Sequence, residues 1–232
     1  GIPRYLPSFA GPLIAAELTM LNGFIRTPRR PLVGIFGGAK METKLSVLRR
    51  FSRLADQVLV GGGVANTLLR ARGFPIGRSL SASANTAVRR LARSKKIVLP
   101  VDAIVASGRR SKKGVALVAV GPHDRIYDIG PKTRLLFRRV LGSARTIVWN
   151  GPLGLAEEQR YAAGTLAVAR SLARHRGFVL VGGGDTVAFL ERARLLARFK
   201  HVSTGGGAML AYLAGEKLPG LEALKRPRGI KN

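Results

Sequence analysis

The sequence predicts an α/β protein, a three-layer αβα Rossmann-like domain built on a mainly parallel sheet of about six strands. Three observations carry this. Short apolar runs that close in glycine-rich turns and open into amphipathic stretches recur along the chain, which is the rhythm of βα units. Nearly every run is continuous rather than alternating, as expected of strands covered by helices on both faces. Finally, the chain has 232 residues, 46% hydrophobic and only 22% charged. That is enough core for one large domain or two small ones, and far too much for a disordered basic tail.

Residues 1–30 read as a linker and packing-helix region, 31–217 as the αβα domain and 218–232 as a C-terminal surface tail. PLVGIFGG (31–38) is the first strand and turn, followed by a helical pattern over 41–54. QVLVGGG (57–63) comes next, with a helix over 64–72. A helix over 82–93 leads into KIVLPVDAIVA (96–106), read as a single run. GVALVAVG (114–121) alternates too weakly for more than an edge strand or hairpin arm. RTIVWNGP (145–152) is the next clear strand and turn. FVLVGGGDT (178–186) follows a long helix over 161–174, and FKHVSTGGGAML (199–210) is the last unit.

Composition excludes several function classes. With no cysteine there is no disulfide scaffold, thiolate zinc site or cysteine nucleophile, and three His leave any metal site dominated by oxygen ligands. Uncharged stretches such as 58–69, about 12 residues cut by three glycines, fall short of the roughly 20 that span a bilayer. A soluble, cytoplasmic protein is expected. The opening GIPRYLPSFAGPL starts on Gly1 and reads as the interior of a longer protein. An excised domain, a processed product or a deliberately shortened chain is therefore expected.

Forty Lys+Arg against 12 Asp+Glu give a formal net charge of +28, and 29 of the basic residues are Arg. They are spread along the chain, as in Arg49, Arg50 and Arg53, Arg89, Arg90 and Arg93, or Arg138 and Arg139, with no basic tail. The plainer reading is a solvated face on each helix. The size of the imbalance nonetheless creates a field that attracts nucleic acid and other polyanions. With no basic-aromatic motif of the RNA-recognition type, unspecific attraction through the basic surface is expected.

In such a sheet ligands bind at the carboxyl ends of the strands. Here Gly37 and Gly38, Gly61 to Gly63, Gly151 with Gly154, Gly182 to Gly184, and Gly205 to Gly207 each close a strand and open a helix. Backbone N–H groups unobstructed by a Cβ, next to helix N-termini, suit phosphate. One such turn is as readily a plain turn, but five on one edge argue for a shared site. None is a GxxxxGK[ST] loop or a GxGxxG fingerprint. Lys40 and Lys44, four apart, can both point at a polyphosphate. Asp185 could hold phosphate-bound Mg2+ or, more plainly, cap the helix that follows. Glu157 could accept hydrogen bonds from a ribose or be a first-turn helix acid.

Together GGAKMETK, VGGGVANTLL, KIVLPVD, DIGPKT, VWNGPLG with Glu157, Gly164-Thr165, VGGGDTV, HVSTGGGAML and LPGLEAL resemble, in order, the C-terminal nucleotide-binding half of phosphoglycerate kinase. The resemblance covers roughly residues 5–224. It implies reversible phosphoryl transfer between 1,3-bisphosphoglycerate and Mg-ADP, with ADP or ATP and Mg2+ as cofactors. By motif, Lys44 would follow the transferred phosphoryl and Lys40 would contact the nucleotide phosphates, with Asn150, Gly183, Gly184 and the Thr186 N–H beside them. Gly38, Ala39, Gly62, Gly63 and Pro152 would line the adenine pocket, Glu157 would hold the ribose and Asp185 the metal. Gly205, Gly206 and Gly207 would stabilise the migrating phosphoryl. Two departures stand out: many members have Asp where this chain has Thr43 and Glu where it has Ala211. The family's N-terminal phosphoglycerate-binding domain has no counterpart in the sequence, so it is the expected partner and the chain is expected to be inactive alone. Two other readings remain open: a derivative of this domain recruited to an RNA or ribonucleoprotein assembly, and a reconstructed or engineered Rossmann-like domain.

Overall fold

The computed structural model describes residues 6, 8–108 and 111–224. The parts of the expected linker and tail at 1–5, 7 and 225–232 lie outside the described residues. Helix α1 (Pro12–Arg26) precedes strand β1 (Leu32–Phe36). Then come α2 (Leu45–Leu54), β2 (Gln57–Val60), α3 (Gly62–Ala71), α4 (Thr86–Ala92) and β3 (Ile97–Val98). After a three-strand insertion, β4 (Asp102–Ala106), β5 (Lys113–Ala116) and β6 (Arg125–Ile129), the chain runs through α5 (Pro131–Ser143) into β7 (Thr146–Asn150). It finishes with α6 (Ala163–Leu172), β8 (Phe178–Gly182), α7 (Gly184–Arg192), β9 (His201–Ser203), α8 (Gly206–Ala214) and α9 (Pro219–Leu224).

The main sheet is parallel throughout, in the order β3-β2-β1-β7-β8-β9. The continuous apolar runs have their cause here: every residue of β1 and β7 is buried. Successive strand residues feed opposite cores. Phe36, Val58 and Val148 pack with α1, α2, α3, α4 and α8 on one face, while Ile35, Leu59 and Trp149 pack with α5, α6 and α7 on the other. The α/β three-layer expectation is met.

Two elements differ from the sequence reading. The run 96–106 is two strands in two sheets, the edge strand β3 and the strand β4, with Pro100, which lacks an N–H to donate, between them. Its second half, β4, is the centre of a separate antiparallel sheet in the order β5-β4-β6. The weakly alternating 114–121 segment supplies the edge arm β5, most of it exposed. Strand β6 and helix α5 were not singled out by the apolar-run rhythm, since β6 (RIYDI) is half exposed and charged at its start.

Candidate active site

The strand order reverses between β1 and β7, so the first crossovers run to one side of β1 and the later ones to the other side. A doubly wound sheet opens a crevice at that switch point, outside the carboxyl ends of the strands. All five glycine-rich turns leave the carboxyl ends of β1, β2, β7, β8 and β9, and parallel pairing puts those ends on one edge.

The turns lock onto one another through the backbone. The N–H of Gly37 donates to the Asn150 carbonyl at 3.0 Å and that of Gly38 to the Pro152 carbonyl at 2.8 Å. A Cβ on Gly63 would sit 2.3 Å from the Ala39 carbonyl oxygen, so close approach requires glycine there. Gly183 combines a φ of +96° with a virtual Cβ 2.7 Å from Asn150 Nδ2, which makes any side chain both strained and obstructed. Asn150 is the keystone: buried, it donates through Nδ2 to the Gly182 carbonyl at 3.0 Å, and its Oδ1 accepts from Lys44 Nζ. Thr186, also buried, accepts the Gly151 N–H on its hydroxyl at 2.7 Å.

At this edge lies a cleft of about 570 Å³. Lys40, Lys44, Asp185, Gly183, Gly184 and Thr186 line it together with Gly38, Ala39, Asn150, Gly206 and Gly207. Lys44 is half-buried, and burial lowers its pKa, the Asp185 carboxylate opposing that shift. Asp185 is exposed in the first turn of α7. It does not cap that helix, because the N-cap is Gly183 with no side-chain hydrogen bond. The Thr186 N–H is engaged by the Gly183 carbonyl at 3.1 Å, so its hydroxyl and backbone act within the turn.

Other sequence-predicted residues stand off the cleft. Gly62, Gly63 and Pro152 pack behind the β1 turn, and Gly62 borders a separate slot of about 20 Å³. Gly205 is the N-cap of α8 and its N–H donates to Ser203 Oγ at 3.1 Å. Glu157 is exposed in the turn after β7, in no helix. Sequence reasoning missed Glu216, which reaches the cleft from beyond α8 because the left-handed Gly215 (φ +79°) turns the chain back. It also missed Glu17 on α1, whose carboxylate accepts from Ser203 Oγ, the Thr204 N–H and Thr204 Oγ1 at 2.6–3.0 Å, just before Gly205. A single carboxylate on one helix carries no motif signal.

Two lysines, two helix N-termini and a ring of glycine turns facing one crevice are groups chemically suited to an anion. The chain matches the phosphoglycerate kinase family over residues 1–216. It belongs to that family. It is 42% identical to the phosphoglycerate kinase of Thermomicrobium roseum over 232 residues and 40% identical to that of Chloroflexus aggregans over 237. These alignments cover 96% and 97% of this chain but 59% of each relative. Among solved structures, the phosphoglycerate kinase of Coxiella burnetii superposes with a TM-score of 0.87 at 38% identity, covering 93% of this chain and 58% of that one. The enzyme of Pyrococcus horikoshii gives 0.83 at 33%, covering 97% and 59%. The chain thus spans about 59% of the length of the curated phosphoglycerate kinases it matches. Among the described residues no helix is long and apolar enough to cross a membrane.

Proposed function

We propose that this chain is the nucleotide-binding half of a phosphoglycerate kinase, taking Mg-ADP or Mg-ATP in the switch-point cleft for transfer to and from a phosphoglycerate held by a partner lobe. The observation that carries this is the gathering of Lys40, Lys44, Asp185 and the starts of α7 and α8 in one cleft of nucleotide-phosphate character. In phosphoryl transfer, positioning and charge neutralisation are nearly all of the catalysis, and these residues are suited to both.

Lys40 and Lys44 meet the polyphosphate, with Lys44 oriented by Asn150 and able to follow the phosphoryl. Gly183, Gly184, Gly206 and Gly207 offer unobstructed backbone around it, with Gly205 fixing the start of α8. In this reading Gly38 and Ala39 face the base end, with Gly62, Gly63 and Pro152 supporting that wall, and the ribose is assigned to Glu157, which stands outside the cleft in the exposed turn after β7. Magnesium fits as a nucleotide-borne ion. No group of three or more His, Asp or Glu is placed to hold one among the described residues, whereas the exposed Asp185 carboxylate can join phosphate oxygens around it. Bound there, Mg2+ would neutralise charge on the phosphate oxygens. The phosphoglycerate-binding lobe is proposed to cover the exposed apolar side chains of Phe9, Leu13 and Ile14, and a cytoplasmic location goes with this reading.

Titration calorimetry with ADP, with and without Mg2+, tests the proposal. Saturable binding that strengthens with Mg2+ is expected, and Asp185→Ala should remove the Mg2+ effect while leaving the melting temperature unchanged. Absence of saturable binding at millimolar nucleotide would sink the reading.

A further inference from the structure

At the opposite edge of the sheet, where β7, β8 and β9 begin, lies a larger groove of about 1360 Å³. The arginines that lie far apart in sequence meet here. Arg29 follows α1, Arg145 follows α5, and Arg174 and Arg176 follow α6, and all four are exposed in the groove wall. Among the described residues no Asp or Glu lines it. The same groove is lined by an aromatic pair: the rings of Phe178 and His201 are stacked, with centroids 4.3 Å apart and planes at 25°.

Helix dipoles alone do not explain the cluster. Three helix C-termini at about half a negative charge each offset well under half of four guanidinium charges. The pair Arg174 and Arg176 is also held in place. His175 between them accepts the Gly177 N–H on Nδ1 at 2.9 Å, which puts its proton on Nε2, 3.1 Å from the Leu141 carbonyl. We propose that this groove binds single-stranded nucleic acid, with backbone phosphates on the four arginines and a base extending the His201–Phe178 stack. A basic groove joined to an aromatic platform is what such a ligand requires, whereas a simple polyanion has no use for the rings.

Anisotropy titration of the full chain with fluorescein-labelled decamers of uridine or thymidine tests this. Both probes should bind, with a log–log salt slope near −3, from four phosphates at about −0.7 each. Replacing Arg174 and Arg176 by Ala should reduce that slope by about 1.4. His201→Ala should weaken binding roughly tenfold with the slope unchanged, from the usual worth of one stacked base, and His201→Phe should restore it. Saturating Mg-ADP should not displace the decamer, which separates this site from the cleft. The proposal is overturned if Arg89→Ala/Arg90→Ala on α4 weakens binding as much as the groove pair, if inorganic polyphosphate binds equally well and ignores His201→Ala, or if ADP competes.

Discussion

At the residue scale the site consists of groups held in states that isolated amino acids would not choose. Lys44 is kept in partial burial by Asn150 and tolerated because Asp185 lies across the cleft. Asp128 on β6 is a more extreme case outside it. Its carboxyl is buried, accepting the Gly164 N–H at 2.6 Å and the Ile129 N–H at 2.9 Å, with Arg134 4.0 Å away. Burial outweighs these favourable partners and raises its pKa from 3.8 to about 6. A raised carboxyl pKa means that the folded state favours the proton. The stability this adds is fully present below the unfolded value of 3.8 and lost as pH rises through about 6. Asp128→Asn, neutral at every pH, should therefore lack this dependence. Between pH 4 and 8 the wild type should lose roughly 2 kcal/mol relative to the variant by chemical denaturation. A difference that stays flat with pH would show that Asp128 ionises freely in the fold. The constant cost of turning one amide edge toward a backbone N–H shifts the whole curve and not its slope.

Elements explain which parts of this were legible beforehand. The glycine turns, Lys40, Lys44 and Asp185 could be read because a strand-turn-helix unit places its ligand groups within a few residues of one another, so spacing encodes geometry. Glu17 and Glu216 could not: Glu17 holds the Ser203–Thr204 turn from α1, at the other end of the chain, and Glu216 enters the cleft only through the reversal at Gly215. The insertion β4-β5-β6 was hidden for a related reason: an apolar run does not say which sheet it joins, and the break at Pro100 is a single residue. Asp102, visible in KIVLPVD but with no role assigned, shows what that insertion does. Its carboxylate accepts the Lys132 and Thr133 N–H groups at 2.9 and 2.8 Å and the Thr133 hydroxyl at 2.6 Å, capping α5 from a neighbouring strand. The helix's own N-cap, Gly130, offers no side chain, and a Cβ there would lie 2.2 Å from Asp102 Cγ. Asp102→Ala removes the acceptor of two buried or part-buried N–H groups, while the Thr133 hydroxyl keeps its bonds to the backbone of residues 101 and 102. The substitution should cost about 2–4 kcal/mol, more than an ordinary exposed cap, in denaturant unfolding. A loss under about 0.5 kcal/mol would mean that water replaces the carboxylate freely.

For the whole molecule, one sheet has two edges with different chemistry, and the net charge of +28 surrounds both. The bridge Arg30–Asp56 at 2.6 Å is a surface one, with side chains 58% and 38% exposed, and contributes little, whereas Asp124 and Asp128 meet Lys113 and Arg134 from buried positions. With 40 basic against 12 acidic side chains, the acids are too few to match most guanidinium and ammonium groups one to one. Self-repulsion across the surface therefore works against the compact state, opposing the two apolar cores that flank the sheet. Added salt shortens the range of that repulsion to about 10 Å at 0.1 M and about 3 Å at 1 M, while leaving the buried packing almost untouched. Repulsion between distant arginines should vanish first. The melting temperature should accordingly rise steeply between about 10 and 200 mM NaCl, across the range in which the Debye length falls below the spacing of the helices, and then level off. Sulfate at equal ionic strength should raise it further, because it also strengthens effective apolar burial. A melting temperature that falls with NaCl would show attractive ion pairs to be the dominant electrostatic contribution. The excess charge would then be stabilised within the fold itself, without any need for an anionic partner.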